Sequence, residues 1–155
     1  MNILFLGDVM GKAGRQVVRK ELPELKRKLE IDTVILNGEN SAGGFGITPK
    51  ICEEFYELGV NVITTGNHVW DQKEIIPYIS KDPNLLRPHN FPPNVPGQGF
   101  VIYKDSMNRK VLVINVMARL FMDPLNDPFE TIENIISDYK IRKEVNAIVI
   151  DVHGE

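Results

Sequence analysis

The sequence predicts an α/β fold in which a largely parallel sheet built from βαβ units is accompanied by an antiparallel hairpin. Three observations predict it. Short β-branched runs recur at 3–6, 33–36, 61–65, 110–116 and 147–151, most of them apolar at consecutive positions, as strands buried on both faces are. Helical patterns lie between the first three runs, the arrangement of βαβ units. Finally, 100–104 and 110–116 flank the connection Asp105-Ser106-Met107-Asn108-Arg109, which reads as a hairpin turn.

The first helix is predicted over 15–29, where Val18, Leu22, Leu25 and Leu29 recur at helical spacing. Pro23 is expected to kink or restart it, because proline removes a main-chain donor. The second helix carries its own punctuation: Thr48 as N-cap, Pro49 at the first helical position and Gly59 just past the end. A third, short helix is expected over 72–79. Residues 83–99 hold five prolines and two glycines, so they form an ordered loop in which helix cannot persist. Residues 120–128 make another loop, and 130–143 a helix with Ile132, Ile135, Ile136 and Tyr139 turned inward.

Composition narrows the function. The 155 residues are 43% hydrophobic and 25% charged, which is globular composition sufficient for one core. One domain over 1–155 is expected. A net charge of −3 offers no general basic field for long nucleic acid, and no apolar run is long enough to span a bilayer. Cys52 is the single cysteine, which fits a cytoplasmic location and a small buried hydrophobe.

The informative regularity is a polar block at the end of each of four strands: Gly7-Asp8, Asn37-Gly38-Glu39-Asn40, Gly66-Asn67-His68 and Asp151-Val152-His153-Gly154-Glu155. A lone Asp or Asn after a strand is most often a turn residue or a helix cap. Repetition at four strand ends argues for a metal site, because ligands of open α/β sheets bind outside the carboxyl ends of the strands. Carboxylate, amide and imidazole together suit manganese, iron or zinc better than a pure magnesium or calcium site. One carboxylate can bridge two ions about 3.5–4 Å apart, and Glu39 is the choice for the bridge. Gly7 to Lys12 is not a phosphate-binding loop, having one residue too few between its glycines and no hydroxyl residue after Lys12. Ser41 to Gly46 is a glycine-rich turn, either lying over substrate or an ordinary loop. Trp70 is a possible base-stacking residue but more often such a residue is core, and His89 reads as loop packing.

Gly7-Asp8, Gly38-Glu39-Asn40 and Gly66-Asn67-His68 resemble the motifs of calcineurin-like metallophosphoesterases. Met10 stands where most of that superfamily has the histidine of D-x-H, and Glu39 replaces the usual bridging aspartate. With Asn-Gly-Glu-Asn-Ser-Ala-Gly-Gly-Phe-Gly-Ile-Thr, Thr-Gly-Asn-His-Val-Trp-Asp and Asp-Val-His-Gly-Glu, the chain is similar to the bacterial 2′,3′-cyclic-nucleotide phosphodiesterase branch.

The resemblance implies part of an α/β/β/α sandwich and two divalent or mixed-valence metal ions, iron and/or manganese. Asp8, Glu39 and Asn40 are implied to hold one metal, and Glu39, Asn67 and His153 the other, with Asn40 substituting for the histidine lost at Met10. His68 is implied to be the catalytic proton donor or electrostatic stabiliser beside the phosphate; a turn histidine is its alternative. The implied reaction is attack of a metal-activated water on a small phosphodiester, most specifically a 2′,3′-cyclic nucleotide. A module that keeps this architecture and senses a nucleotide without hydrolysing it is the alternative. The resemblance also implies a further G-x-H-x-H segment, so the chain is expected to be the amino-terminal part of such a domain. As a fragment it should bind metal weakly and turn over little, and an unpaired sheet edge should favour homo-oligomers.

Overall fold

The structure is a computed structural model that describes residues 1–154. Glu155, the last residue of the Asp-Val-His-Gly-Glu block, lies outside the described residues. Among the described residues six strands and four α-helices follow one another as β1 (Ile3–Leu6), α1 (Gly11–Lys28), β2 (Thr33–Asn37), α2 (Pro49–Glu57), β3 (Val62–Thr64), α3 (Ile75–Ile79), β4 (Phe100–Lys104), β5 (Lys110–Met117), α4 (Pro128–Ile136) and β6 (Ala147–His153). A single 3-10 turn, Asn67–Trp70, precedes α3.

The strands divide into two sheets. One is parallel with order β1-β2-β3, and the other has order β4-β5-β6, with β4 antiparallel and β6 parallel to β5. The hairpin therefore does not extend the parallel sheet, as the apolar runs alone suggest, but founds a second sheet. Side-chain alternation explains the stacking. Ile35 and Val62 of the first sheet pack against Val111 and Val113 of the second, while Val34, Leu36 and Ile63 turn the other way onto α1, α2 and α3 through Leu22, Phe55 and Ile75. Leu112, Ile114 and Val116 face outward onto Ile132, Ile135 and Ile136 of α4. The layers are helices, sheet, sheet, helix: the expected α/β/β/α arrangement.

Local chemistry accounts for the bounds of α2 and the start of α4. Thr48 Oγ1 accepts from the main-chain N–H of Ile51 at 3.3 Å, and Gly59 follows α2 at φ +89°, where a left-handed residue closes the helix. Asp127 caps α4 by accepting from the N–H groups of Phe129 and Glu130. Three expectations change. α1 starts at Gly11 and runs through Pro23 without restarting, with Pro23 exposed. The third helix, expected over 72–79, shortens to the five-residue α3. α4 stops at Ile136, short of 143, with Ser137, Asp138 and Tyr139 turning off its last carbonyls. Tyr139 still packs against the α4 cluster.

At the end of the sandwich away from the strand carboxyl ends, Arg109 ties the layers together. Its guanidinium lies 2.6 Å from Asp105 Oδ2 in the hairpin turn and 2.7 Å from Asp32 Oδ1 at the start of β2. The loop 83–99 carries no strand beyond isolated bridges. In it Arg87 is buried and holds the carbonyls of Pro96 and Pro88, and His89 stacks edge-on to Phe100 with ring centroids 5.3 Å apart. No helix among the described residues is long and apolar enough to cross a membrane.

Candidate metal centre

The four polar strand ends converge. β1, β2 and β3 end side by side in the parallel sheet, and β6 brings His153 to the same edge from the second sheet. The loop after β1 is laced to the loop after β2 by Val9 N–H donating to the Asn37 carbonyl at 3.0 Å and Gly11 N–H donating to the Asn40 carbonyl at 2.8 Å. This holds Asp8, which is exposed, over the buried Glu39 and Asn40.

Five of the six predicted residues form one hydrogen-bonded cluster. Asn40 Nδ2 donates to Asp8 Oδ2 at 2.9 Å and to Glu39 Oε1 at 3.0 Å. His153 Nε2 lies 3.0 Å from the same Glu39 Oε1 and 2.9 Å from Asn67 Oδ1. Both neighbours of Nε2 are acceptors, so this nitrogen carries the hydrogen. Burial pulls the His153 pKa down, but the hydrogen bond to Glu39 and the charges of Glu39, Asp151 and Asp8 outweigh it and hold the pKa above the ordinary histidine value. Glu39 is thus the shared partner of the two halves, Asp8 with Asn40 and Asn67 with His153.

His68 stands apart from that cluster. Its polar contact is Asp71, whose Oδ2 lies 2.7 Å from His68 Nδ1, and its ring meets the Phe45 ring nearly at right angles with centroids 5.0 Å apart. Trp70 is not at the site: it packs on the helical core and edge-on to Phe91.

Three residues contribute in ways that strand-end reading does not reveal. Asp151 Oδ2 accepts from Asn37 Nδ2 at 2.8 Å and from Thr64 Oγ1 at 2.5 Å, so it joins β6 to β2 and β3 across the two sheets. Its signal is a carboxylate breaking the apolar run Ile148-Val149-Ile150. Asp71 is found by its i+3 spacing from His68. Gly66 is required for space, since its φ of −157° is ordinary extended backbone. A side chain there would run into Glu39 Oε2 and the His153 ring.

A cavity of about 200 Å³ opens over the cluster, lined among others by Phe5, Asp8, Glu39, Asp151 and His153. Glu39 Oε2 and Asn40 Oδ1 are buried without any hydrogen-bond partner. Leaving a buried acceptor unpaired costs about 1–3 kcal/mol, more when it is charged. Two orphaned oxygens in an acidic cluster fit a cation, and a dehydrated cation is what such acceptors satisfy. Among the described residues no three carboxylate, imidazole or thiol side chains gather closely enough to hold an ion by themselves, so an ion here would need the amides of Asn40 and Asn67 in its donor set.

Residues 4–155 match the family described as YmdB-like protein. The chain belongs to the YmdB-like family. Along its whole length it is 43% identical to a protein of Bacillus subtilis (strain 168) named 2′,3′-cyclic-nucleotide 2′-phosphodiesterase, of which it covers 58%. A crystal structure of a hypothetical protein from Thermus thermophilus superposes with a TM-score of 0.90 at 36% identity, covering 100% of this chain and 58% of that one. A second, described as a novel phosphatase of Mycoplasma pneumoniae, gives 0.87 at 33% identity, covering 99% of this chain and 55% of that one. The chain spans a little over half the length of these relatives.

Proposed function

We propose that the chain carries the greater part of a dinuclear metal centre and serves the hydrolysis of small phosphodiesters, 2′,3′-cyclic nucleotides in particular. The observation that carries the reading is the pair of buried, unpartnered oxygens of Glu39 and Asn40 beside the carboxylate of Asp8 and the imidazole of His153. The name of the Bacillus subtilis relative supports the substrate class. Asp8, Glu39 and Asn40 would hold one ion, and Glu39, Asn67 and His153 the other, the donor types suiting manganese, iron or zinc and the resemblance favouring iron or manganese. To serve as a ligand, His153 Nε2 would have to give up the hydrogen it carries here.

Bound divalent ions supply positive charge against phosphoryl oxygens and acidify water. The chain's own groups do the rest. Glu39 joins the two halves of the donor set, Gly66 leaves the space in which Glu39 and His153 meet, and the link from Asp151 to Asn37 and Thr64 keeps the two sheets in register beneath them. His68 is the acid for the departing ribose oxygen. With its Nδ1–H donated to Asp71, Nε2 is the nitrogen left to carry and release a proton. A cytoplasmic setting accords with the single buried cysteine.

The test is hydrolysis of adenosine 2′,3′-cyclic phosphate with added Mn²⁺, comparing the protein with Glu39→Gln, together with anomalous scattering at the manganese and iron edges. Activity that survives Glu39→Gln, or a single ion bound away from Glu39, overturns the reading.

A further inference from the structure

In the turn that follows Asn40, an aromatic stands exposed beside His68. Phe45 is 59% exposed, and its place is built. Gly43, Gly44 and Gly46 take positive φ values of 73°, 105° and 78°, a backbone path that side-chain-bearing residues resist. The turn closes through Ala42 N–H donating to the Gly46 carbonyl at 2.9 Å and Gly44 N–H donating to the Asn40 carbonyl at 3.1 Å. Gln72 Nε2 pins the Phe45 carbonyl at 2.8 Å. A Cβ at Gly46 would crowd Gln72 and the His68 carbonyl, so the turn sits directly on the His68 segment. An exposed phenyl ring on so determined a backbone has an open face and little conformational entropy left to lose.

From this geometry we infer that Phe45 is the platform on which the substrate's nucleobase stacks, and hence a specificity residue for base-bearing diesters. The inference rests on the proposed phosphodiesterase reading. In a 2′,3′-cyclic nucleotide the oxygen that leaves phosphorus belongs to the ribose that carries the base. A group that protonates that oxygen therefore stands near the base, and Phe45 is the aromatic ring in contact with His68. Phe5, also exposed, lines the metal-side cavity with Asp151 and Val152, and Trp70 is committed to the core. Stacking tolerates any base because every base has a π-face, so Phe45 separates nucleotides from base-free phosphodiesters without choosing among bases.

The experiment compares the protein with Phe45→Ala and Phe45→Trp on adenosine 2′,3′-cyclic phosphate and on methyl riboside 2′,3′-cyclic phosphate, which lacks the base. Calorimetric binding of adenosine monophosphate and ribose 5-phosphate is measured alongside. Phe45→Ala is expected to raise KM for the nucleotide, and Kd for adenosine monophosphate, about ten-fold, as loss of one stacked base does. It should leave the base-free ligands unchanged, and Phe45→Trp should restore binding. Equal effects on base-bearing and base-free ligands, or none on either, overturn the platform. If the protein turns over neither diester, the calorimetric difference between adenosine monophosphate and ribose 5-phosphate still decides Phe45: no preference for the base overturns it.

Discussion

The carboxylate of Asp71 lies 2.7 Å from Nδ1 of His68, one turn of chain away from it. This contact sets which ring nitrogen keeps its hydrogen toward the protein and which faces outward. A general acid lends about 10²–10⁴-fold to a rate. His68→Ala is therefore expected to lower kcat by about 10²-fold or more on a cyclic nucleotide, whose alkoxide leaving group needs a proton. The loss should be much smaller on bis-p-nitrophenyl phosphate, whose leaving group does not. Asp71→Asn should reproduce the same leaving-group dependence in weaker form. Steady-state kinetics on the two substrates check this; equal losses on both would remove His68 from the acid role.

Glu39→Gln removes a buried charge while keeping its shape. Without metal the variant is expected to unfold no earlier than the unaltered protein, since Oε2 has no partner to lose. With Mn²⁺ the unaltered protein should gain stability, about 2.7 kcal/mol at a hundred-fold excess over Kd, and the variant should gain little. Melting curves with and without Mn²⁺ provide the comparison.

Gly66→Ala is expected to cost stability, about 1–3 kcal/mol as overpacking does, because its methyl group would enter the space held by Glu39 and His153. Metal affinity should fall with it. A stable variant with undiminished Mn²⁺ binding in a titration would contradict the geometry.

Acid sensitivity should be traceable to the other end of the sandwich. The Asp32 carboxyl is held below its ordinary pKa by the Asn2 N–H and by Arg109. Burial opposes the shift at Asp105, but the main-chain and side-chain hydrogen bonds of Arg109 outweigh it and lower that pKa too. Groups with depressed folded-state pKa values contribute stability above their unfolded value, near pH 4, and lose it as pH falls through the folded value. Arg109→Ala should therefore be least stable relative to the unaltered protein above about pH 4, with the difference shrinking on acidification. Urea midpoints measured from pH 7 down to pH 2 test the sign.

What the sequence disclosed was local. Thr48 and Pro49 announce the start of α2 because a cap and a missing N–H are properties of two adjacent residues. The strand-end carboxylates and amides announce the cluster because each comes after an apolar run. The division into two sheets was not legible in the apolar runs, since nothing in Ile148-Val149-Ile150 states that its partner is β5 rather than a strand of the first sheet. Asp151 was missed for the same reason: its partners, Asn37 and Thr64, lie 114 and 87 residues away. Pro23 does not restart the helix: exposed, it is carried within α1. The importance of Gly66 is one of volume, visible only when Glu39 and His153 are seen to meet above it.

Asp151 also gives the molecule a mechanical character. Residues that converge on Glu39 come from both sheets, and the carboxylate of Asp151 fastens the seam between them. A metal ion bound there would act as a rivet, its binding energy and the cohesion of the two layers being one quantity. Removing such an ion with a chelator should thus be felt first along β6, as faster amide hydrogen exchange.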